Sequence, residues 1–144
     1  MEKKLLLVVG TAFIKDGKLL ISMSQRSAKK GKYTLVGGGV EPEDASIKAA
    51  AIRECQEEIG NGFKIREEEL KEILVFTEPA MSDPDNLDIE MHMMLALKDV
   101  DVELIPNDEI IDFKWHSLTD SDQILSSAIK DYFIPWAKEN NLMY

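Results

Sequence analysis

The stretch Arg53-Glu54-Cys55-Gln56-Glu57-Glu58-Ile59-Gly60, preceded by Gly37-Gly38-Gly39-Val40-Glu41, decides how this chain is read. In a helix, Glu54, Glu57 and Glu58 fall at offsets of three and four residues, on one face and within reach of each other. Carboxylates so placed repel one another, and a hard divalent cation with oxygen ligands offsets that repulsion. The same rotation sets Ile47, Ala51, Ile52, Cys55 and Ile59 on an adjoining apolar arc. Glu58 projects near the directions of Ile47 and Ala51, so its carboxylate stands at the edge of the core, where an unpaired charge is costly. The competing reading is a solvated acidic face. Such a face more often alternates Glu with a Lys four residues later, and this one has no such lysine.

Working outward, Asp44 or Ser46 can cap this helix and Gly60-Asn61-Gly62 stops it. Upstream, Leu5 to Ile14 and Leu19 to Ser24 read as strands joined by a hairpin at Asp16-Gly17. A basic loop follows, then a short strand, Tyr33 to Val36, running into the three glycines, where a backbone without Cβ atoms can approach a ligand closely. Downstream, Leu70 to Thr77, Leu87 to Leu97 and Ile110 to Leu118 are β-prone runs, the first two separated by a loop containing Pro79 and Pro84. Ser121 opens a last helix with Ile124, Leu125, Ala128, Ile129, Tyr132, Phe133 and Trp136 at helical spacing, which Pro135 should kink or end. Strands with one central and one C-terminal helix predict an α/β (α+β) fold, a mixed sheet packed between helices. No repeat or linker divides the chain, so residues 1–144 read as a single domain.

The formal charge is −10, but residues 1–40 carry eight Lys/Arg against Glu2 and Asp16 and so balance at +6, leaving −16 on the remainder. So acidic a body repels long nucleic acid. The cluster from Arg26 to Lys32 is either a solvated basic loop or a site for a small phosphorylated ligand. The longest apolar run, Leu5 to Ile14, is about half of a membrane span and lacks a cleavage pattern after it. With the single cysteine, Cys55, on the apolar arc, the expectation is a cytoplasmic protein with a buried thiol and no membrane partner.

Tyr33-Thr34-Leu35-Val36-Gly37-Gly38-Gly39-Val40-Glu41 followed by Arg53, Glu54, Cys55, Glu57, Glu58 and Gly60 resembles the signature of the Nudix hydrolases. That signature is a Gly, five residues, a Glu, seven residues, then Arg-Glu-apolar-any-Glu-Glu-any-Gly-apolar. This chain departs from it before Arg53. Counting from Gly38 puts Asp44 at the first acidic position with one residue too many before Arg53, while counting from Gly39 puts Ala45 there. Asp44, Glu43 and Glu41 are therefore all candidate partners for Arg53. Val36 stands in place of a frequent Pro, and Asn61 in place of an apolar residue.

The resemblance implies an α-β-α sandwich and a metal-dependent hydrolase that cleaves a pyrophosphate bond in a nucleoside triphosphate or related nucleoside diphosphate derivative. It implies Mg²⁺ or Mn²⁺ on Glu54, Glu57 and Glu58, with the carbonyl of Gly38, and a catalytic set of Arg53, Glu54, Glu57 and a loop acid. Asp108 or Glu109 ahead of Trp115 supplies that acid, Glu109 being taken here. Substrate contacts are expected from Arg26, Lys32, Gly37 and Gly39. Tyr33 either packs or stacks on a base, and Phe76 and Met81 flank the long loop. Glu90, which shares a strand face with His92, either meets the ligand or lies on a polar sheet face. His116 reads as structural. The alternatives are hydrolysis of ADP-ribose, a nucleotide sugar or a dinucleoside polyphosphate, and a nucleotide-binding regulator without turnover. Many relatives are dimers, so a homodimer is a possible assembly.

Overall fold

The computed structural model describes residues 2–144. At its centre is β1 (Lys4–Ala12), which breaks at buried Phe13 and resumes as the short β2 (Ile14–Lys15) in a second sheet. The single strand expected over Leu5 to Ile14 is thus two, and the break hands the chain from one sheet to the other. Asp16 and Gly17 follow with φ of 52° and 75°, the left-handed pair that closes a tight hairpin into β3 (Lys18–Ser24). A short helix, α1 (Gln25–Ala28), replaces the expected start of the basic loop. It forms because Ser24 and Ser27 cap each other's backbone N–H groups.

Next comes β4 (Val36–Gly39), antiparallel to β1. The strand lies three residues later than predicted and contains the glycines itself, while Tyr33 and Thr34 make only isolated bridges, to Leu125 and Ser22. Gly37 pairs with Gly10, and a Cβ on Gly37 would stand 1.9 Å from the Val9 carbonyl oxygen, so no other residue fits this approach.

The central helix, α2 (Ile47–Ile59), begins where Ser46 accepts from the Ala49 N–H at 3.0 Å and ends at Gly60 with φ of 60°. After it, β5 (Leu70–Pro79) and β6 (Leu87–Ala96) form an antiparallel pair, and β6 runs parallel to β1, giving the order β4-β1-β6-β5. The second sheet, β2-β3-β7, is completed by β7 (Ile110–His116).

The last helix expected from Ser121 is instead a 3₁₀ turn at Asp122–Ile124, a π-helical stretch at Ala128–Phe133 and then α3 (Ile134–Glu139). Pro135 neither ends nor interrupts α3. It sits in the first turn, where its missing N–H costs nothing within the α-helical ladder, and the π-helical turn precedes it.

Two cores flank the four-stranded sheet. Ala12, Met93, Ile129, Phe133 and Ala137 lie on the side of the C-terminal helices, and Val9, Met94, Ala51, Cys55 and Ile59 lie on the side of α2. Neighbouring residues Met93 and Met94 face opposite cores, as the period-two pleat requires. The result is the predicted sandwich of a mixed sheet between helices. No helix among the described residues is long and apolar enough to cross a membrane.

Candidate active site

The apolar arc of α2 seats the helix on the sheet, and that fixes where its acidic face points. Cys55 and Ile59 go into the core, and burial pushes the Cys55 thiol up to about 12, as expected of a structural cysteine. Glu54 and Glu58, each only 8% exposed, are brought against β4. Glu58 Oε1 accepts from the Gly37 N–H at 2.8 Å. A Cβ on Gly38 would lie 2.8 Å from the Glu54 carboxylate, so the glycine is what lets that carboxylate rest on the strand. Glu57 stays on the exposed rim.

Burial pushes the Glu58 carboxyl up to about 8 against the opposing pull of the Gly37 N–H, with the charges of Glu54, Glu109 and Glu57 adding to the rise. Burial also raises Glu54, while Arg53 works against that rise.

Arg53 organises the rim. Its Nε and Nη2 donate to Asp44 Oδ1 and Oδ2, both at 2.9 Å, in the bidentate geometry a guanidinium favours. Its Nη1 donates to Glu54 at 2.8 Å and reaches Glu57 at 3.4 Å, and its Nη2 also donates to the Gly39 carbonyl at 3.0 Å. The hydrogen bonds of Arg53, then that of the Glu41 N–H, hold the Asp44 carboxyl down at about 2.

Asp44 is therefore the partner of Arg53, with Glu41 more distant at 3.9 Å. The extra residue before Arg53 is absorbed by a tight turn in which Asp44 and Glu41 bond each other, Asp44 N to Glu41 O at 3.0 Å and Glu41 N to Asp44 Oδ2 at 2.8 Å.

The helix spacing alone assigned the offsetting charge to a cation, whereas Arg53 already lies between Glu54 and Glu57. Among the described residues, no group of three or more His, Cys, Asp or Glu side chains is drawn together as a metal cage. Arg53 draws Glu54 and Glu57 sideways, and the Gly37 N–H holds Glu58. The donor set still fits a hard divalent ion: carboxylate oxygens beside a glycine strand, two of the carboxylates buried, with burial holding Glu58 off its charged state.

Asp108 and Glu109 close the cleft from the loop before β7, lining it with Glu54, Glu58 and Gly37 to Gly39. Asn107 sets that loop. Its Nδ2 donates to the Glu58 main-chain carbonyl at 2.7 Å, and its Oδ1 accepts from the N–H groups of Glu109 at 2.9 Å and Ile110 at 3.0 Å. The acidic chamber has a volume of about 530 Å³. A second chamber of about 230 Å³, mostly apolar, adjoins it and shares Ser24, Arg26, Gly37 and Gly38.

Among the expected substrate contacts, Arg26, Gly37 and Gly39 line the acidic chamber and Met81 lines the apolar one. Three others are not brought to the cleft. Lys32 donates to the Gln123 carbonyl at 2.6 Å. Tyr33 is buried in the core with its hydroxyl on Asp112, and burial and that carboxylate push it up to about 12. Glu90 lies on the opposite face of β6 from Ile89 and Met91, which line the apolar chamber, and it bonds His92 at 2.7 Å. Phe76 stacks on Tyr132 with ring centroids 3.6 Å apart. His116 is buried beside Asp122 at 3.3 Å, in keeping with a structural part.

Sequence reasoning missed Asn107, which sets the loop of acids. Only the Asn107-Asp108 pair, a turn former directly before the loop acids, offered a signal.

The family model described as the NUDIX domain matches residues 4–137. A comparison with curated proteins returns no match. Among solved structures, a MutT NUDIX hydrolase from Burkholderia pseudomallei is similar at 21% identity with a TM-score of 0.72, over 90% of this chain and 95% of that one. The NUDIX domain of Shewanella oneidensis NrtR, complexed with ADP ribose, is similar at 18% identity and a TM-score of 0.69, over 97% and 90%. An ADP-ribose pyrophosphatase from Streptococcus suis is similar at 20% identity and a TM-score of 0.53, over 81% and 76%. At these identities the likeness is one of fold.

Proposed function

The chain belongs to the NUDIX family, and from that premise we propose that it is a divalent-metal-dependent hydrolase cleaving the pyrophosphate linkage of a small nucleotide, a nucleoside triphosphate or a related nucleoside diphosphate derivative. The observation that carries this reading is that Glu54 and Glu58 of α2 line a glycine-walled cleft with Arg26 and Glu109, while Glu57 of the same helix stands on its exposed rim.

Glu54, Glu57 and Glu58 would hold Mg²⁺ or Mn²⁺, with a main-chain carbonyl from Gly38. Such an ion, when bound, supplies charge neutralisation on the phosphates and lowers the pKa of water. The chain's own residues do the rest. Arg26 binds phosphate oxygens at the junction of the two chambers. Glu109, held by Asn107, accepts the proton of the attacking water as its oxygen bonds to phosphorus and the anhydride P–O bond breaks. Arg53 keeps Glu54 and Glu57 oriented.

ADP-ribose is the second reading, favoured by two of the similar structures, one named as an ADP-ribose pyrophosphatase and one holding ADP ribose. Product analysis over a nucleotide panel with Mg²⁺ or Mn²⁺ separates them. Nucleoside monophosphate with pyrophosphate marks a triphosphate substrate, and AMP with ribose phosphate marks ADP-ribose. A panel that yields neither, with no other anhydride cleaved, overturns the proposal.

A further inference from the structure

The apolar chamber beside the acids carries two charged groups on its wall, Arg26 and Glu78, and the hydrolytic reading uses only the first. Glu78, near the end of β5, projects from the same sheet face as Ile89 and Met91, because it pairs with Ile89 in the β5–β6 register. Ser127 fixes it from across the chamber, its Oγ lying 3.0 and 3.1 Å from the two carboxylate oxygens. One hydroxyl proton serves only one of the carboxylate's several acceptor sites, so acceptor capacity remains for a ligand. Ser127 and Ala128 open the π-helical stretch, a departure from regular helix that recurs where a side chain is presented to a ligand. The walls beside Glu78, among them Met81, Met91 and Leu35, are apolar, and the chamber adjoins the acidic one at Arg26. A planar ring thus fits in the apolar chamber while its phosphates reach the acids.

We propose that the Glu78–Ser127 pair is the base-reading element of this cleft and selects a guanine-type edge. The inference rests on the reading of the chain as a nucleotide hydrolase. Its chemistry is that of donors and acceptors. An ionised carboxylate only accepts hydrogen bonds. The guanine edge offers two adjacent donors, a ring N–H and an exocyclic amine, which match its two oxygens side by side. Adenine and cytosine set one amine beside a bare ring nitrogen whose lone pair opposes the carboxylate. Uracil sets one N–H between two carbonyls, which is worse. Discrimination of this kind works by leaving a buried polar group unpaired in the wrong complex.

The test compares wild type with Glu78→Gln, a change that keeps the volume and replaces one acceptor by a donor. Catalytic efficiency is measured with GTP, ATP, CTP and UTP, and equilibrium binding with the four nucleoside monophosphates. Wild type should favour guanine by roughly tenfold or more. Glu78→Gln should lose that preference and shift toward adenine or cytosine, which match a donor beside an acceptor. The change should fall mainly on KM. Ser127→Ala should weaken the preference in the same direction. Base-indifferent hydrolysis by wild type, or an unchanged preference in Glu78→Gln, overturns this proposal and leaves the hydrolase reading standing. Absence of all hydrolysis with guanine-selective monophosphate binding that Glu78→Gln abolishes overturns the hydrolase reading and supports this one.

Discussion

The side-chain amide of Asn107 donates to the main-chain carbonyl of Glu58 at 2.7 Å, so the loop that carries Glu109 is hooked to the helix that carries the three acids. The same side chain accepts from the Glu109 N–H, which fixes the acid's backbone as well as the loop's approach. Positioning of this sort matters because small displacements of reacting groups cost rate steeply.

Asn107→Ala should therefore lower kcat by about 100-fold while leaving KM nearly unchanged. A thermal melt close to that of wild type, taken alongside the kinetics, separates displacement of the loop from general loss of fold. A variant with wild-type kcat would show that the hook is dispensable.

Asp44 is the anchor of Arg53, and Arg53 in turn spreads Glu54 and Glu57. Asp44→Asn keeps the shape and one acceptor but removes the charge. The expected result is a fall in activity of at least about tenfold with a raised requirement for metal, read from initial rates at stepped Mn²⁺ concentrations. Glu41→Gln, which alters only the longer contact at 3.9 Å, should change little.

Burial holds the Glu58 carboxyl up at about 8, above its ordinary 4.5, so the folded chain binds a proton there that the unfolded chain releases at lower pH. For a raised group, the stabilisation is complete below the unfolded value and is lost as pH rises through the folded one. Metal-free protein should lose stability between these two values. Because an ion binds the carboxylate form, Mn²⁺ should raise the melting temperature more at about pH 8.5 than at about pH 6, and a chelator should remove the gain.

Away from the cleft, His92 lies between Glu72 at 3.0 Å and Glu90 at 2.7 Å. Burial alone would lower its pKa, but the two carboxylates outweigh burial and raise it above 6.5. The stabilisation from this pair of contacts is full below the unfolded value of 6.5 and disappears as pH rises through the raised one. Melting temperatures of His92→Gln should accordingly show a shallower decline across this window than wild type, while nucleotide hydrolysis stays unchanged, since His92, Glu72 and Glu90 do not line either chamber.

The helix, its cap at Ser46, its stop at Gly60 and the strands on either side were legible because each has a local cause: hydrophobic period, capping side chain or turn residue. The glycines were legible as a close approach, though only the pairing of Gly37 with Gly10 shows that they lie within the strand. What eluded reading depends on contacts distant in sequence. Lys32 is taken up by Gln123, Tyr33 by Asp112, and Glu90 by a strand face whose orientation is set by pairing to β1 and β5. Glu78 and Ser127 meet across 49 positions, and neither segment alone carries a sign of the other. The choice of Asp44 over Glu41 and Glu43 rested on a turn geometry that spacing does not encode.

The central claim is that the three acids of α2 support metal-dependent cleavage of a pyrophosphate bond. The most direct measurement is the initial rate of nucleotide hydrolysis across a Mg²⁺ and Mn²⁺ titration, for wild type and Glu57→Gln side by side. The prediction is a rate that rises and saturates with metal in wild type, vanishes with chelator, and falls by about 100-fold or more in the variant. Hydrolysis that is independent of metal, or equal in the two proteins, would contradict it.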